Sequence, residues 1–266
     1  MKFGCCTNMI ARTSDGIGSE FVEKLAEIGF DYAELPLAEM MALSEDDFSK
    51  LKERVKKSGI ACETCNNFFP KTVRLTGKDV DMEAIMQYVE KALSRAQELE
   101  IERLVFGSGT AKNVPAGFPM EQGYNQVVEL LKKINPIAKE KGITIVIEPL
   151  RKAECNLINT FEEGCQLAKD VDGDNVKVLV DFYHLTEEKE PVEHLLKYGK
   201  EYLQHVHFAY PKGRIYPSDM NEADYGPFIK ALHEIGYDLR ISCEAYTDNF
   251  EESAPLALAF LKKCFQ

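Results

Sequence analysis

The stretch INPIAKEKGITIVIE, residues 134–148, contains one complete unit of the pattern that decides the fold. Ile134 and Ile137 keep the spacing of a helix that buries one face. Gly142 follows at the position where a glycine commonly ends a helix in a left-handed conformation. The apolar run Ile143–Ile147 comes next, which is typical of a strand that is buried on both faces in a parallel sheet. This stretch therefore predicts a helix, a closing glycine and a buried strand.

The same helix–glycine–strand unit recurs around Gly29, Gly59 and Gly236, and further apolar runs bring the number of predicted strands to eight. The predicted strands are Lys2–Cys6, Phe30–Leu35, Ile60–Cys65, Arg103–Phe106, Ile143–Ile147, Val176–Val180, Leu203–Phe208 and Leu239–Cys243. Predicted helices between them include Met82–Leu99, Gln122–Lys139, Phe161–Asp170, Val192–Tyr198 and Ser253–Cys264. Such alternation admits an open doubly wound sheet or a closed barrel, and eight units in 266 residues favour the barrel. We predict a single α/β domain, a (β/α)₈ TIM barrel, over residues 1–266.

Composition and charge argue against several classes of protein. The formal net charge is −12, so attraction to nucleic acid or to anionic lipid is not expected. No stretch approaches the roughly 18 apolar residues of a membrane span. The segment Met1–Thr7 is typical of a short strand rather than of a signal peptide. We expect a cytoplasmic protein whose eight cysteines are reduced.

Polar residues end four consecutive predicted strands. The runs TIVIE, KVLVD, QHVHF and ISCE place there Glu148, Asp181, His207 and Glu244. Functional residues of a (β/α)₈ barrel lie at the carboxyl ends of its strands. Because adjacent strands are about 4.8 Å apart, these four side chains can converge on one point. His205, two residues before His207, is expected to be a hydrogen-bonded residue of the barrel interior.

These four residues predict a metal site. Three carboxylates brought together without a partner would repel one another and force protonation, and a divalent cation removes that problem. Three oxygen donors and one imidazole suit one moderately hard ion, for which we expect Mn²⁺, with Mg²⁺, Co²⁺ or Zn²⁺ as alternatives. A network of structural ion pairs is the competing interpretation, because such networks also cluster carboxylates.

Other polar residues are predicted near the same end of the barrel. Glu34 ends the second strand, where it could enter the pocket or form a structural salt bridge. Asn66 and Asn67 end the third strand, and one of the two should face the pocket. Lys112 and Lys212 are predicted in loops on this side, where either could contact a phosphate or be solvated.

Over its whole length, the chain with these strand-end residues resembles the xylose-isomerase-like barrels, which include sugar phosphate isomerases and epimerases. Within that group it is most similar to the ketose 3-epimerases. Four motifs carry the resemblance. A Glu is followed six residues later by a second Glu (Glu148 and Glu154), and an Asp-x-x-His follows (Asp181 and His184). A His then has an Arg nearby (His207 and Arg214), and the last strand ends in a Glu (Glu244). The combined spacing is specific, whereas each motif alone is weak. The loops Asn66–Phe69 and Gly107–Gly109 differ from those of the free-ketose enzymes, so the resemblance leaves the sugar open.

The resemblance implies an isomerase of carbohydrate metabolism that epimerises C3 of a keto sugar through an enediolate, with the metal as Lewis acid. It implies that Glu148 and Glu244 are at once metal ligands and the catalytic acid/base pair. It implies that Glu154, His184 and Arg214 bind the sugar substrate. It also implies a homo-oligomer.

Other activities remain open on the same residues. An aldose–ketose isomerase would use the same metal and enediolate, and a lyase or dehydratase acting on a keto-inositol or a 3-keto-sugar would expel a group after the same proton abstraction. AP-endonuclease relatives of this barrel use several metals and more histidines, and the five histidines and net charge of −12 argue against that activity. A non-catalytic sugar-binding barrel is the remaining alternative, and the presence of both Glu148 and Glu244 argues against it.

Overall fold

Eight parallel strands form the centre of the molecule, and the last strand pairs with the first to close a barrel. The computed structural model describes residues 1–265. The strands are β1 (Lys2–Cys6), β2 (Tyr32–Pro36), β3 (Ala61–Asn66), β4 (Arg103–Phe106), β5 (Thr144–Ile147), β6 (Val176–Asp181), β7 (Leu203–Phe208) and β8 (Arg240–Cys243). Each strand pairs with its neighbour along the chain. The prediction of a (β/α)₈ barrel is confirmed.

Helices surround the barrel and fill its connections. They are α1 (Val22–Ile28), α2 (Leu37–Met41), α3 (Glu45–Ser58), α4 (Met82–Glu98), α5 (Gly109–Lys112), α6 (Met120–Glu140), α7 (Phe161–Val171), α8 (Phe182–Glu187), α9 (Glu193–Tyr202), α10 (Gly226–Glu234) and α11 (Phe250–Phe265). The largest differences from the predicted bounds are in α9, which continues to Tyr202, and in α11, which begins at Phe250. Among residues 1–265, no helix combines the length and the apolar character that crossing a bilayer requires.

Residues along each strand alternate between two environments. One set, which includes Val206 and Phe208 of β7, packs in the large core between the strands and the helices. The Phe208 ring, for example, lies 5.0 Å from the ring of Phe182. The other set faces the barrel interior, where three apolar residues from β4, β5 and β6 form a separate small cluster, namely Val105, Val146 and Leu179. One side of the barrel interior is therefore apolar.

The opposite side of the interior is polar. Across the barrel, the Glu34 carboxylate of β2 lies 2.8 Å from Nε2 of His205 of β7. The Tyr32 hydroxyl of β2 lies 2.8 Å from the Ser242 hydroxyl of β8. All four side chains are fully buried. The prediction that His205 is a hydrogen-bonded interior residue is confirmed. Of the two roles predicted for Glu34, a pocket residue or a structural salt bridge, the structure shows the salt bridge, which lies inside the barrel.

We predict that Gly4→Ala destabilises the fold by overpacking this interior. A Cβ at Gly4 of β1 would lie 2.1 Å from Cε2 of Tyr32, so the ring would have to move. Such overpacking costs roughly 1–3 kcal/mol of the free energy of unfolding, which urea denaturation followed by circular dichroism would measure. Gly226→Ala is the matched control, because the nearest atom to its Cβ would be 3.9 Å away. Equal loss of stability in the two variants would contradict the steric explanation.

Candidate metal centre and substrate cleft

The four strand-end residues lie together at the carboxyl end of the barrel. Glu148, Asp181, His207 and Glu244 each place one possible ligand atom within 4.8 Å of the others, and all four are buried. The strand ladder continues to the two glutamates, because the backbone N–H of Glu148 donates to the β4 carbonyl of Phe106 at 3.2 Å. The Glu244 N–H donates likewise to the β7 carbonyl of Phe208 at 3.1 Å. The backbone register of β4–β8 therefore fixes where these side chains begin.

The residues present fit a divalent cation. Nδ1 of His207 lies 2.8 Å from the Glu244 carboxylate and 3.2 Å from that of Glu148. Metal–ligand distances are about 2.0–2.2 Å, so two ligand atoms of the same ion lie at most about 4.4 Å apart. The ligand atoms of this cluster lie within 4.8 Å of one another, which is close to that limit. Three carboxylates with one imidazole form a donor set that suits a moderately hard divalent ion. The cluster is therefore a possible metal site formed by residues at the ends of four successive strands.

Burial and mutual repulsion set the charges of this cluster. Burial raises the pKa of Asp181 to about 7, although Arg214 acts in the opposite direction. Burial and the nearby Glu244 also raise the pKa of Glu148. Burial would raise the pKa of Glu244 as well, but Arg214 and His207 outweigh it and hold that pKa at about 2. A divalent cation between these groups would favour the ionised form of all three carboxylates.

Arg214 supplies a positive charge directly above the cluster. Its Nη2 donates to Asp181 at 2.9 Å and to Glu244 at 2.5 Å. The residue belongs to a tight hairpin in which the N–H of Tyr210 donates to the carbonyl of Ile215 at 2.9 Å. Arg214 itself has a positive φ of 50°, and its carbonyl accepts from the N–H of Tyr246 at 2.8 Å. The guanidinium is therefore positioned by the loop backbone as well as by its ion pairs.

His184 presents a hydrogen-bond donor to the cleft beside the cluster. It lies on α8, directly after β6, and is only 2% exposed. Burial and the nearby Arg214 hold the pKa of its imidazole well below the usual range, so the ring is neutral. Nδ1 accepts from the N–H of Arg151 at 3.3 Å, which leaves the single ring proton on Nε2. Nε2 has no hydrogen-bond partner within residues 1–265, and its closest acidic neighbour is Asp181 at 3.6 Å.

A cleft of about 700 Å³ opens above these residues. Its lining brings together the predicted site residues Glu148, Glu154, His184, Arg214 and Glu244. Glu154 is partly exposed and forms an ion pair with Arg151 at 2.7 Å. Of the two asparagines at the end of β3, Asn67 lines the cleft, while Asn66 is buried and donates to the Asn8 side chain at 2.9 Å. One of the pair faces the pocket, as predicted.

Both roles that the sequence left open for Lys112, a phosphate contact or a solvated side chain, are wrong. The residue is fully buried at the end of the short helix α5, where the sequence suggested a loop. Its ammonium donates to the carbonyl of Gly107 at 2.6 Å and to that of Glu148 at 3.0 Å. Lys112 therefore ties the backbone of Glu148 to the loop after β4. Lys212 is exposed on the hairpin that carries Arg214.

Two residues that the sequence analysis named, Gly107 and Glu34, support the cluster through contacts that it did not predict. Gly107 leaves room for the Glu148 side chain, because a Cβ there would lie 2.2 Å from Oε2 of Glu148. Oε1 of Glu34 lies 2.9 Å from Nε2 of His207, on the side of the ring away from the cluster. The available signal for Glu34 was its position at a strand end together with the alternation of His205 and His207 on one strand face.

The fold and the cluster define a (β/α)₈ barrel with a buried, acidic, metal-type centre at the carboxyl ends of its strands. The chain belongs to the family described as Xylose isomerase-like TIM barrel, whose model matches residues 22–264. Family membership accounts for the resemblance that the strand-end motifs indicated.

Individual relatives agree with this family. A D-psicose 3-epimerase of Agrobacterium fabrum is 26% identical over 90% of this chain and 91% of its own length. A 3-dehydro-D-guloside 4-epimerase of Escherichia coli is 22% identical over 90% of this chain and 92% of its own length. The solved structure of a D-psicose 3-epimerase with D-tagatose from Clostridium cellulolyticum is 20% identical and has a TM-score of 0.86, with each chain covered in full, 100%. At that identity the structural likeness shows the fold.

We predict that Arg214→Met destabilises the protein when divalent metal is removed with EDTA. Loss of the guanidinium removes the ion-pair partner of Asp181 and leaves Glu244 with His207 alone. Breaking a buried pair in this way costs roughly 3–5 kcal/mol of the free energy of unfolding. Urea denaturation in EDTA would measure the loss.

Arg151→Met is the matched control for this prediction. The Arg151 and Arg214 guanidinium groups both contact the Tyr183 ring, at 5.1 and 4.8 Å from its centre, but Arg151 pairs with the more exposed Glu154 and Glu187. Exposed pairs contribute about 0–1 kcal/mol, so this variant should lose little stability. A loss at Arg151 as large as that at Arg214 would contradict the special role of the buried pairs.

Proposed function

We propose that the protein is a divalent-metal-dependent epimerase that inverts C3 of a keto sugar. The observation that carries this proposal is that two buried glutamates, Glu148 and Glu244, both lie within 3.2 Å of the His207 ring nitrogen Nδ1. They come from β5 and β8, which are not adjacent strands, so the two carboxylates approach the cleft from different directions. The similarity to a D-psicose 3-epimerase over most of both chains supports the choice of reaction.

The metal ligands in this proposal are Glu148, Asp181, His207 and Glu244. Mn²⁺ is the ion we propose, because carboxylates dominate the donor set. When bound, the ion supplies Lewis-acid polarisation of the sugar carbonyl and its neighbouring hydroxyl. The same charge offsets the repulsion among the three buried carboxylates.

The two glutamates perform the proton transfers. Epimerisation beside a carbonyl requires that one group remove the C3 proton, which leaves its electron pair in an enediolate. A second group then delivers a proton to the opposite face of C3. Glu148 and Glu244 take these two roles, and they exchange them when the other epimer is the substrate.

Three residues of the cleft hold the sugar in this proposal. His184 offers its Nε2 proton to a sugar oxygen, because that donor has no partner elsewhere in the described chain. Arg214 offers Nε, which is likewise buried without a partner in residues 1–265, and its charge favours an anionic enediolate. Glu154, which also lines the cleft, positions the end of the sugar near the reacting carbon.

The setting of the enzyme is also part of the proposal. We propose a cytoplasmic homo-oligomer that acts on a small sugar and does not bind nucleic acid. The net charge of −12 supports the last point, because neutralising phosphates requires a basic surface. Light scattering coupled to size-exclusion chromatography would measure the oligomeric state.

Product analysis by NMR in D₂O tests the reaction. With a panel of ketoses and excess Mn²⁺, we expect inversion at C3 with deuterium incorporated at that carbon. A product in which the carbonyl has moved would identify an aldose–ketose isomerase instead. Loss of a substituent would identify a lyase or dehydratase, and inversion at C4 would match the reaction named for the Escherichia coli relative.

We predict one tightly bound divalent ion per chain. Titration of EDTA-treated protein with Mn²⁺, followed by calorimetry, should show a single strong site in the wild type. His207→Ala should strongly weaken this binding, because it removes the only nitrogen ligand proposed. His233→Ala is the control, because His233 is an exposed residue of α10. Absence of strong Mn²⁺ binding to the wild type would rule out the metal site.

We predict that Glu148→Gln and Glu244→Gln each lower kcat by about 10²–10⁴-fold, since each keeps the size of the side chain and removes its base. Excess Mn²⁺ keeps the site filled during the measurement. Deuterium exchange at C3 should then separate the variants, with one still exchanging the proton of one epimer and the other that of the opposite epimer. Epimerisation by both variants at the wild-type rate would show that the two-carboxylate mechanism is wrong.

A further inference from the structure

We propose that Glu34 is a positioning residue for the metal centre, whose carboxylate holds the His207 ring in the tautomer and orientation that direct Nδ1 at the metal. This inference rests on the proposed function, since it takes His207 as a metal ligand. Glu34 itself lies beneath the cluster, inside the barrel, and does not line the cleft.

The two nitrogens of His207 face different groups. Nδ1 faces the cluster, at 2.8 Å from Glu244 and 3.2 Å from Glu148. Nε2 faces the barrel interior, at 2.9 Å from Oε1 of Glu34. A histidine that binds metal must present an unprotonated nitrogen to it. The ring proton then belongs on Nε2, where it is donated to Glu34, and a carboxylate in this position fixes both the tautomer and the ring plane of the ligand.

The other oxygen of Glu34 is held by three side chains. Oε2 accepts from the hydroxyl of Thr64 at 2.7 Å and from that of Ser242 at 2.6 Å. Nε2 of His205 lies 2.8 Å from the same oxygen. These contacts come from β3, β8 and β7, so they fix the carboxylate from three directions. Oε1 is left to His207, which is its one hydrogen-bond partner within the described chain.

A second metal site at Glu34 is the competing interpretation, because Cys6, Glu34 and His207 also form a cluster of possible ligands. The hydrogen bonds argue against it. The two oxygens of Glu34 already have four partners, and a metal there would have to displace the proton between Glu34 and His207. The Cys6 sulfur lies 3.9 Å from Nε2 of His207, which is only a weak contact. Glu34 therefore acts on the metal through His207.

Glu34→Gln is a sharp test because an amide has one oxygen and one NH₂ group. The Thr64 and Ser242 hydroxyls both donate to Oε2 in the wild type, so we expect the amide oxygen at that position. The NH₂ group then takes the Oε1 position and donates to Nε2 of His207. That reverses the His207 tautomer and places a proton on Nδ1, where the metal should bind.

The tautomer of the wild-type protein gives a test that does not depend on the folding of a variant. The chain has only five histidines, so ¹⁵N-histidine labelling yields few signals to assign. In protein loaded with diamagnetic Zn²⁺, we expect a proton on Nε2 of His207 and none on Nδ1. A proton on Nδ1 would overturn the inference.

Metal affinity gives the second test, and Thr64→Val is its matched control. That variant removes one donor to Oε2 of Glu34 and leaves Oε1 facing His207. Calorimetric titration with Mn²⁺ should show affinity about 10–100-fold weaker for Glu34→Gln, the range typical of lost supporting partners of metal ligands. Thr64→Val should bind Mn²⁺ within about twofold of the wild type, because the Oε1–His207 contact that governs ligand geometry is retained.

The remaining outcomes are decisive as well. Wild-type affinity in Glu34→Gln, or an equal fall in both variants, would overturn the inference while leaving the proposed epimerase intact. No Mn²⁺ binding by the wild type would overturn the metal site and this inference together. Because every readout is tautomer or affinity, none depends on finding the sugar.

Discussion

Repulsion among buried carboxylates is the main physical constraint on the carboxyl-terminal end of the barrel. The carboxylates are Glu34, Glu148, Asp181 and Glu244, and each is less than a tenth exposed. Ionised carboxylates cannot remain together out of water unless cations lie among them. The imidazole of His207 lies between the inner carboxylate and the outer ones, and the guanidinium of Arg214 approaches from above. The charge balance of the site thus depends on His207 of β7 and on Arg214 of the loop that follows β7.

The barrel interior connects this charge balance to the fold. Interiors of such barrels are usually packed with branched apolar side chains, as Val105, Val146 and Leu179 are here. On the other side, a hydrogen-bonded network around Glu34 replaces that packing. A buried polar network is favourable only when its members have partners, so residues that fill the core also support the site above it. The buried network that fills this part of the core thus also contacts the proposed metal ligand His207.

Local sequence patterns were sufficient to predict the strands and the three acidic residues and one histidine at their ends. Such patterns are encoded within a few neighbouring residues. Contacts across the barrel have no such local signal. Glu34 and His205 are 171 residues apart in the chain, and their pairing follows only from barrel closure. Lys112 was misplaced for a different reason, since the four-residue helix α5 is too short to have a detectable period. The ion pairs of Arg214 depend on a hairpin whose left-handed residues are not obvious from sequence.

The hairpin that carries Arg214 has a consequence for how such a barrel can diversify. The proposed metal ligands are anchored in the strand ladder, where a change of register would disturb the whole sheet. Arg214, by contrast, projects from the short connection Tyr210–Ile215, which is held at its base by backbone bonds. Loops of this kind tolerate insertions and exchanges far better than strands do. Changes at the other positions of this connection can therefore alter which compounds the cleft admits, while Arg214 and the proposed metal ligands stay in place.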